Sequence, residues 1–234
     1  MQRPGEGDDG DHAGISRVDR PARRARDWYD TLSRAYRFVE PFESAAREAG
    51  LDLLDAAPGE SALDVGAGAG GALVRLADRV GSAGRVCGVD VAEGMCRVAR
   101  DRAAASGRGD RVAVVCGDAR SLPFGDGCFD AVFCSFTLEL FDTPDLPRVL
   151  GEIRRVLDER GRLVVVSLAS RDGETGPLAV RAYERLHEAA PTYFDCRPIP
   201  VERVLRKGGF RVERTWAGST WRLPVTAALV RPAE

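Results

Sequence analysis

Several residue types that carry common chemistries are scarce in this chain. Of the 34 lysines and arginines only Lys207 is a lysine, a bias that reflects genome composition more than function, and no tyrosine stands four residues before it. The Tyr-x-x-x-Lys pair of many dehydrogenases is therefore missing. There are two histidines, His12 and His187. The six cysteines (Cys87, Cys96, Cys116, Cys128, Cys134, Cys196) contain no C-x-x-C pair. Neither a zinc site nor a disulfide framework is expected, and the thiols read as small buried hydrophobes of a reducing compartment. No apolar run approaches the roughly 20 residues that span a bilayer, and the opening MQRPGEGDDGDHAG has no apolar core for a secretory signal. The expected location is the cytoplasm. Arginines cluster at Arg20, Arg23, Arg24 and Arg26, but no basic stripe with interleaved aromatics follows, so a nucleic-acid partner is not expected.

What is present describes a globular α/β chain. Of 234 residues, 44% are hydrophobic and 30% charged, at a net charge of −2, which suits one domain with a full core plus extensions. Residues 1–22 are rich in Gly, Asp and Arg, have little to bury, and read as a disordered leader. From Arg26 to about Asp55, residues such as Trp28, Tyr29, Leu32, Tyr36 and Val39 recur at helical spacing and predict a helical extension in two pieces. Strands are expected at Ser61–Val65, Arg85–Asp90, Val112–Cys116, Phe129–Cys134 and Leu163–Ser167. They alternate with helices at Leu73–Arg79, Gly94–Ala105 and Leu146–Leu157, the last stopped by Arg160-Gly161. That alternation predicts a Rossmann-like, doubly wound and mostly parallel sheet. A helix over Leu178–Ala189, an irregular stretch Pro191–Pro200 and a short helix ending at Lys207-Gly208-Gly209 should follow. Phe210–Trp216 and Val225–Val230 have no helix between them, so they should form an antiparallel edge hairpin and bring the sheet to seven strands.

Chemistry concentrates between the first strand and its helix, at Asp64-Val-Gly66-Ala67-Gly68-Ala-Gly70-Gly71. Glycines let the backbone turn sharply and approach a ligand closely, and the helix start behind them presents unpaired N–H groups. Asp90 closes the second strand, 20 residues beyond Gly70, where a carboxylate can accept both hydroxyls of an adenosine ribose. The glycines alone also satisfy the dinucleotide fingerprint G-x-G-x-x-G. Asp64 separates the two readings: a carboxylate beside the loop repels a diphosphate and attracts the ammonium and sulfonium of S-adenosylmethionine (SAM). Asp118, after the third strand, is suited to the adenine amino group, with a turn or helix-cap role as the alternative.

Taken in order, Asp64-x-Gly66-x-Gly68-x-Gly70, Gly88-Val-Asp90-Val91-Ala-Glu-Gly-Met95, Gly117-Asp118-Ala119-Arg-Ser-Leu-Pro-Phe124 and Phe129-Asp130-Ala-Val132 resemble a class I SAM-dependent methyltransferase. The segment Leu157–Gly161 is similar to the family's lead into strand five. Within the family the chain resembles the ubiquinone and menaquinone methyltransferase branch of small-molecule enzymes. The resemblance implies that Asp64, Gly66, Ala67, Gly68 and Gly70 hold the methionine end of SAM. It further implies that Asp90 and Val91 take the ribose, that Met95 flanks the adenine, and that Gly117, Asp118 and Ala119 read its edge. Ser135 and Phe136 would border the sulfonium, and Tyr29 and Tyr36 would close over the cofactor. For Met95, core packing under a helix is the alternative. The implied division is a helical cap at 23–57, a cofactor-binding core at 58–170, and a substrate wall with the C-terminal hairpin at 171–234, all in one domain.

The expected partner is a small, hydrophobic or aromatic methyl acceptor. Tyr193–Ile199 and Trp221–Pro224 do not match the quinone enzymes, so a quinol acceptor rests on analogy. The N-P-P-Y signature of amino-directed methyltransferases is missing too. A general base is needed only where the nucleophile must lose a proton, and His187, Tyr183, Glu139 and Asp195 are the candidates. His187 leads as the histidine outside the leader, with a structural role as its alternative. An NAD-dependent oxidoreductase and a SAM-binding protein without turnover are the competing functions.

Overall fold

The computed structural model describes residues 40–170, 197–220 and 223–233. The expectations on residues 1–39, including Tyr29 and Tyr36, and on 171–196, including His187, Tyr183 and Asp195, lie outside them.

Seven strands form one sheet. Helix α1 (Glu40–Leu54) leads into β1 (Ser61–Val65), followed by α2 (Gly71–Val80), β2 (Arg85–Asp90), α3 (Glu93–Ala105), β3 (Val112–Cys116) and β4 (Phe129–Ser135). After two 3-10 turns come α4 (Leu146–Val156), β5 (Leu157–Leu168), α5 (Val201–Lys207), β6 (Phe210–Thr220) and β7 (Leu223–Pro232). The order across the sheet is β3-β2-β1-β4-β5-β7-β6. The first five strands are parallel, and β7 runs antiparallel to both β5 and β6. The doubly wound sheet and the C-terminal hairpin therefore stand as read from the sequence.

Alternation along the central strands fills two cores. Phe133, Val164 and Val166 face Leu51 and Leu54 of α1 and Leu73 and Leu76 of α2. Val132, Leu163 and Val165 face Leu150 and Ile153 of α4 and Leu205 of α5. A parallel strand covered on both faces has no polar side to offer, which is why β5 reads as an unbroken apolar run.

The largest boundary differences from expectation are at β5 and β6. Strand β5 begins at Leu157, pairs with Phe129, and then shifts register so that Arg162 meets Ala131. The Asp158–Gly161 turn is thus a bulge inside a strand; Gly161 is needed there because a Cβ would stand 2.7 Å from the Leu157 side chain. Strand β6 continues past Trp216 to Thr220, because Gly218 leaves room for the indole of Trp216 to lie across it.

Helix α1 is anchored at its C-terminal end. Arg79 donates to Leu51 O at 2.7 Å, and Arg162 donates to Leu54 O at 2.6 Å and Asp55 O at 2.7 Å, cations at the end of the helix that favours them. Close packing completes the fit: a Cβ on Gly50 would stand 2.4 Å from Val166 Cγ2. Because α1 feeds β1, its opposite end, with Glu43 and Arg47, lies at the carboxyl edge of the sheet. Among the described residues no helix is long and apolar enough to cross a membrane.

Phe133 is wholly buried where α1 meets the sheet. Phe133→Ala should lower unfolding free energy by about 3–5 kcal/mol, read as a lower urea midpoint at unchanged slope. A loss below about 1 kcal/mol would mean that α1 does not pack on β4 in solution.

Candidate functional site

The carboxyl ends of β1, β2, β3 and β4 bring most of the expected residues together. Leaving β1, the chain passes through Gly66, Gly68 and Gly70 at φ +74°, +51° and +79°, conformations that only glycine adopts without strain. Space matters equally: a Cβ on Gly66 would stand 2.2 Å from Thr137 Oγ1, and one on Gly70 would stand 2.9 Å from Ala99 Cα in α3. Helix α2 starts at Gly71 with no side-chain cap, so its first N–H groups are not satisfied by a capping side chain.

Asp90 laces this loop to β2. Its Oδ2 accepts the Gly68 N–H at 2.8 Å and its Oδ1 the Ala92 N–H at 2.9 Å, while Gly66 and Ala67 both donate to Val89 O. One carboxylate thus shapes the glycine loop and ties it to the start of the segment after β2. Val91 follows directly. Met95 is buried in a small cluster with Ala69 and Ala92, against the loop itself.

Beyond β3, Gly117 leads into Asp118 and Ala119. The Asp118 carboxylate is held by Arg120: Oδ2 accepts from Nη2 at 2.7 Å and Oδ1 accepts the Arg120 N–H at 2.9 Å. The hydrogen bonds from Arg120 hold this acid below the usual carboxylate range against the opposing effect of burial. Arg120 also reaches Asp145 at 2.9 Å. This turn role is the alternative the sequence left open, and Arg120 was not foreseen.

Asp64 is the strained member of the group. It is 1% exposed, and neither carboxylate oxygen has a hydrogen-bond partner among the described residues. Burial pushes it up to about 7; the Arg47 guanidinium pulls it back and the Asp90 charge adds to the rise. Arg47, on the near end of α1, pairs with Glu43 at 2.9 Å.

Across β1, strand β4 ends at Ser135. Phe136 then takes φ +50°, a costly conformation for an aromatic residue, and Thr137 closes on Gly66. Glu139 in the following 3-10 turn is fully buried. The expectation that the thiols are buried holds for Cys96 and Cys134 and is corrected at Cys116, exposed at the end of the edge strand β3, at Cys128, exposed in the turn before β4, and at Cys87, which is half-buried. A cavity of about 480 Å³ lined by Ser170, Arg203, Arg206 and Thr226 lies at β5, β7 and α5. It is two strands from the glycine loop, so its size does not make it this site.

A family model described as a methyltransferase domain matches residues 62–161. Over 148 residues the chain is 42% identical to nocamycin O-methyltransferase of Saccharothrix syringae, covering 62% of this chain and 51% of that protein. It is 40% identical over 107 residues to a demethylmenaquinone methyltransferase of Symbiobacterium thermophilum, covering 46% and 42%. The chain thus spans about half the length of these curated relatives. The solved 4+2-cyclase SpnF superposes with a TM-score of 0.71 at 19% identity, over 93% of this chain and 99% of that one.

Asp64 carries a stability signature. Its folded-state value lies above the ordinary 3.8, so the folded chain keeps a proton that the unfolded chain releases. Stability is full below about 4 and is lost as pH rises through about 7. The shift corresponds to about 4 kcal/mol. Urea titrations from pH 5 to 8 should show the wild type losing stability relative to Asp64→Asn by a sizeable part of that figure. Parallel curves would place the Asp64 carboxylate in water.

Proposed function

We propose that this chain, whose residues 62–161 are a methyltransferase domain of the class I SAM-dependent family, transfers the methyl group of SAM to a small hydrophobic or aromatic acceptor. The observation that carries the reading is the buried Asp64 carboxylate, without a donor among the described residues, beside a glycine loop tied to Asp90. A site lined by Asp64, Asp90 and Asp118, with its nearby Arg47 and Arg120 already engaged by acids, favours a cationic ligand over a diphosphate. NAD carries a diphosphate and SAM carries two positive groups, so the donor set fits SAM.

In this reading Asp64 supplies the countercharge for the methionine end, and the loop from Gly66 to Gly70 offers backbone N–H groups beside it. Asp90, at the end of β2 beside the loop, accepts from the ribose hydroxyls. Gly117, Asp118 and Ala119 read the adenine edge, and Met95 and Val91 pack beside it. Ser135 and Phe136 border the reacting centre. Bound SAM supplies a methyl carbon already activated by the sulfonium, so the chain's own contribution is to align an acceptor in line with it.

Of the similar proteins, one is named as an O-methyltransferase of nocamycin and one as a methyltransferase of demethylmenaquinone; the quinone of the second supports a hydrophobic, ring-bearing acceptor here. The 4+2-cyclase with the same fold keeps a reading without methyl transfer alive, and turnover decides between them.

Calorimetric titration with SAM, S-adenosylhomocysteine and NAD in parallel tests the cofactor. Both adenosyl ligands should bind in the micromolar range, NAD should not, and Asp90→Ala should weaken SAM by about 100-fold or more, as expected when hydrogen bonds to charge and the loop are lost together. NAD binding in place of SAM would sink the reading.

A further inference from the structure

Glu139 is a buried carboxyl to which cofactor binding gives no task. The chain leaving β4 reverses at Phe136 and presses Thr137 against Gly66. The next turn, Leu138–Leu140, carries Glu139 toward β5, where Oε1 accepts the Leu168 N–H at 3.3 Å. In the order β1-β4-β5 this lies on the far side of Ser135 and Phe136 from the glycine loop. Glu139 is 0% exposed, and Oε2 has no hydrogen-bond partner among the described residues. A buried oxygen in that state costs about 1–3 kcal/mol, so its retention calls for a reason.

Charged and polar groups from several elements surround it. Glu43 approaches from α1 as a like charge, and Ser167 of β5 hydrogen-bonds to it. The Cys134 thiol of β4 is pushed up by burial, with Glu139 adding to the rise. Arg197, ahead of α5, is attracted to Glu139 and Asp142; it donates to Thr143 Oγ1 at 2.9 Å and to Phe141 O at 2.5 Å. Burial dominates and pushes Glu139 up to about 7, while hydrogen bonds from its own N–H, Leu168 and Ser167 draw it back.

We infer that Glu139 accepts the proton of the methyl acceptor, and that the methylated atom is a phenolic or enolic oxygen. The inference rests on the methyltransferase reading above. A neutral amine attacks with a lone pair it already holds, whereas a phenol, with a pKa of about 10 like that of tyrosine, needs a base at neutral pH. A carboxylate that titrates near 7 and has a vacant acceptor oxygen is matched to that task. The acceptor O–H bond breaks as the O–CH₃ bond forms, the proton goes to Oε2 of Glu139, and the electron pair of the broken S–CH₃ bond stays on sulfur. Glu139 later returns the proton to solvent.

The test uses Glu139→Gln, which keeps the shape and the contact to Leu168, with α-naphthol and α-naphthylamine as acceptor probes. Without any acceptor, infrared titration should show a protonated-carboxyl band that disappears as pH rises through neutrality. Glu139→Gln should remove that component and Asp64→Asn should leave it. With SAM, the wild type should methylate α-naphthol faster than α-naphthylamine, with a kcat that rises to a plateau above about pH 7. Glu139→Gln should lower that kcat by about 100-fold or more and abolish the rise, at a SAM Kd within about threefold of wild type. The inference is overturned by a carboxyl band that survives Glu139→Gln or a kcat retained within about fivefold. Preference for the amine, or no α-naphthol turnover by protein that binds SAM, overturns it as well. Failure of the wild type to bind SAM contradicts the methyltransferase reading instead, and the infrared result still decides the protonation of Glu139.

Discussion

A carboxylate that finds no hydrogen-bond donor among the described residues, sealed within the first strand, governs the arrangement around it. Asp64 belongs to β1, flanked by Gly88 of β2 and Phe133 of β4, so it cannot swing into solvent without opening the sheet. Its burial is tolerable because Arg47 stands near and because the group can hold a proton up to about 7. Both compensations tie the cofactor side to α1. That helix reaches the site because Arg79 and Arg162 hold its other end and Gly50 lets it lie close on β4 and β5. In the proposed reading a ligand bringing positive charge relieves the strain in Asp64, and part of its affinity would be stored as a local cost of folding.

The same logic, one strand over, applies to Glu139. Both acids lie at the carboxyl edge of the sheet, both are wholly buried, and both are pushed up to about 7 by burial. They differ in company. Asp64 lies between a guanidinium and another acid beneath the glycine loop, whereas Glu139 is held by Leu168 and Ser167 against β5. Two acids in distinct environments, separated by Thr137 and the reversed turn at Phe136, allow one to serve the cofactor and the other the acceptor.

Much of this was legible in the sequence because it depends on spacing. Strand periodicity gave the parallel sheet, and the glycines with Asp64, Asp90 and Asp118 gave the loop cluster. What sequence could not give was contact between distant segments. Arg47 lies 17 residues before Asp64 on a helix whose register is fixed only by packing. Arg120 sits inside the third motif, yet its capture of Asp118 depends on the turn geometry. Thr137 explains why Gly66 must be glycine, and nothing local announces it. The bulge at Asp158–Gly161 escaped for a similar reason: charged residues and a glycine read as a loop until Phe129 is placed opposite Leu157. Glu139 was named as one candidate base among four, but its burial, which sets its chemistry, is a property of the fold.

The most direct measurement is proton release on SAM binding, from calorimetry at pH 7 in buffers of different ionisation enthalpy. If Asp64 is the buried countercharge, binding should drive it fully ionised and release about half a proton, given a starting value of about 7. Asp64→Asn should release that much less and bind more weakly. SAM binding of equal strength and equal proton release in both proteins would contradict the account and leave the buried carboxylate without a role in holding the cofactor.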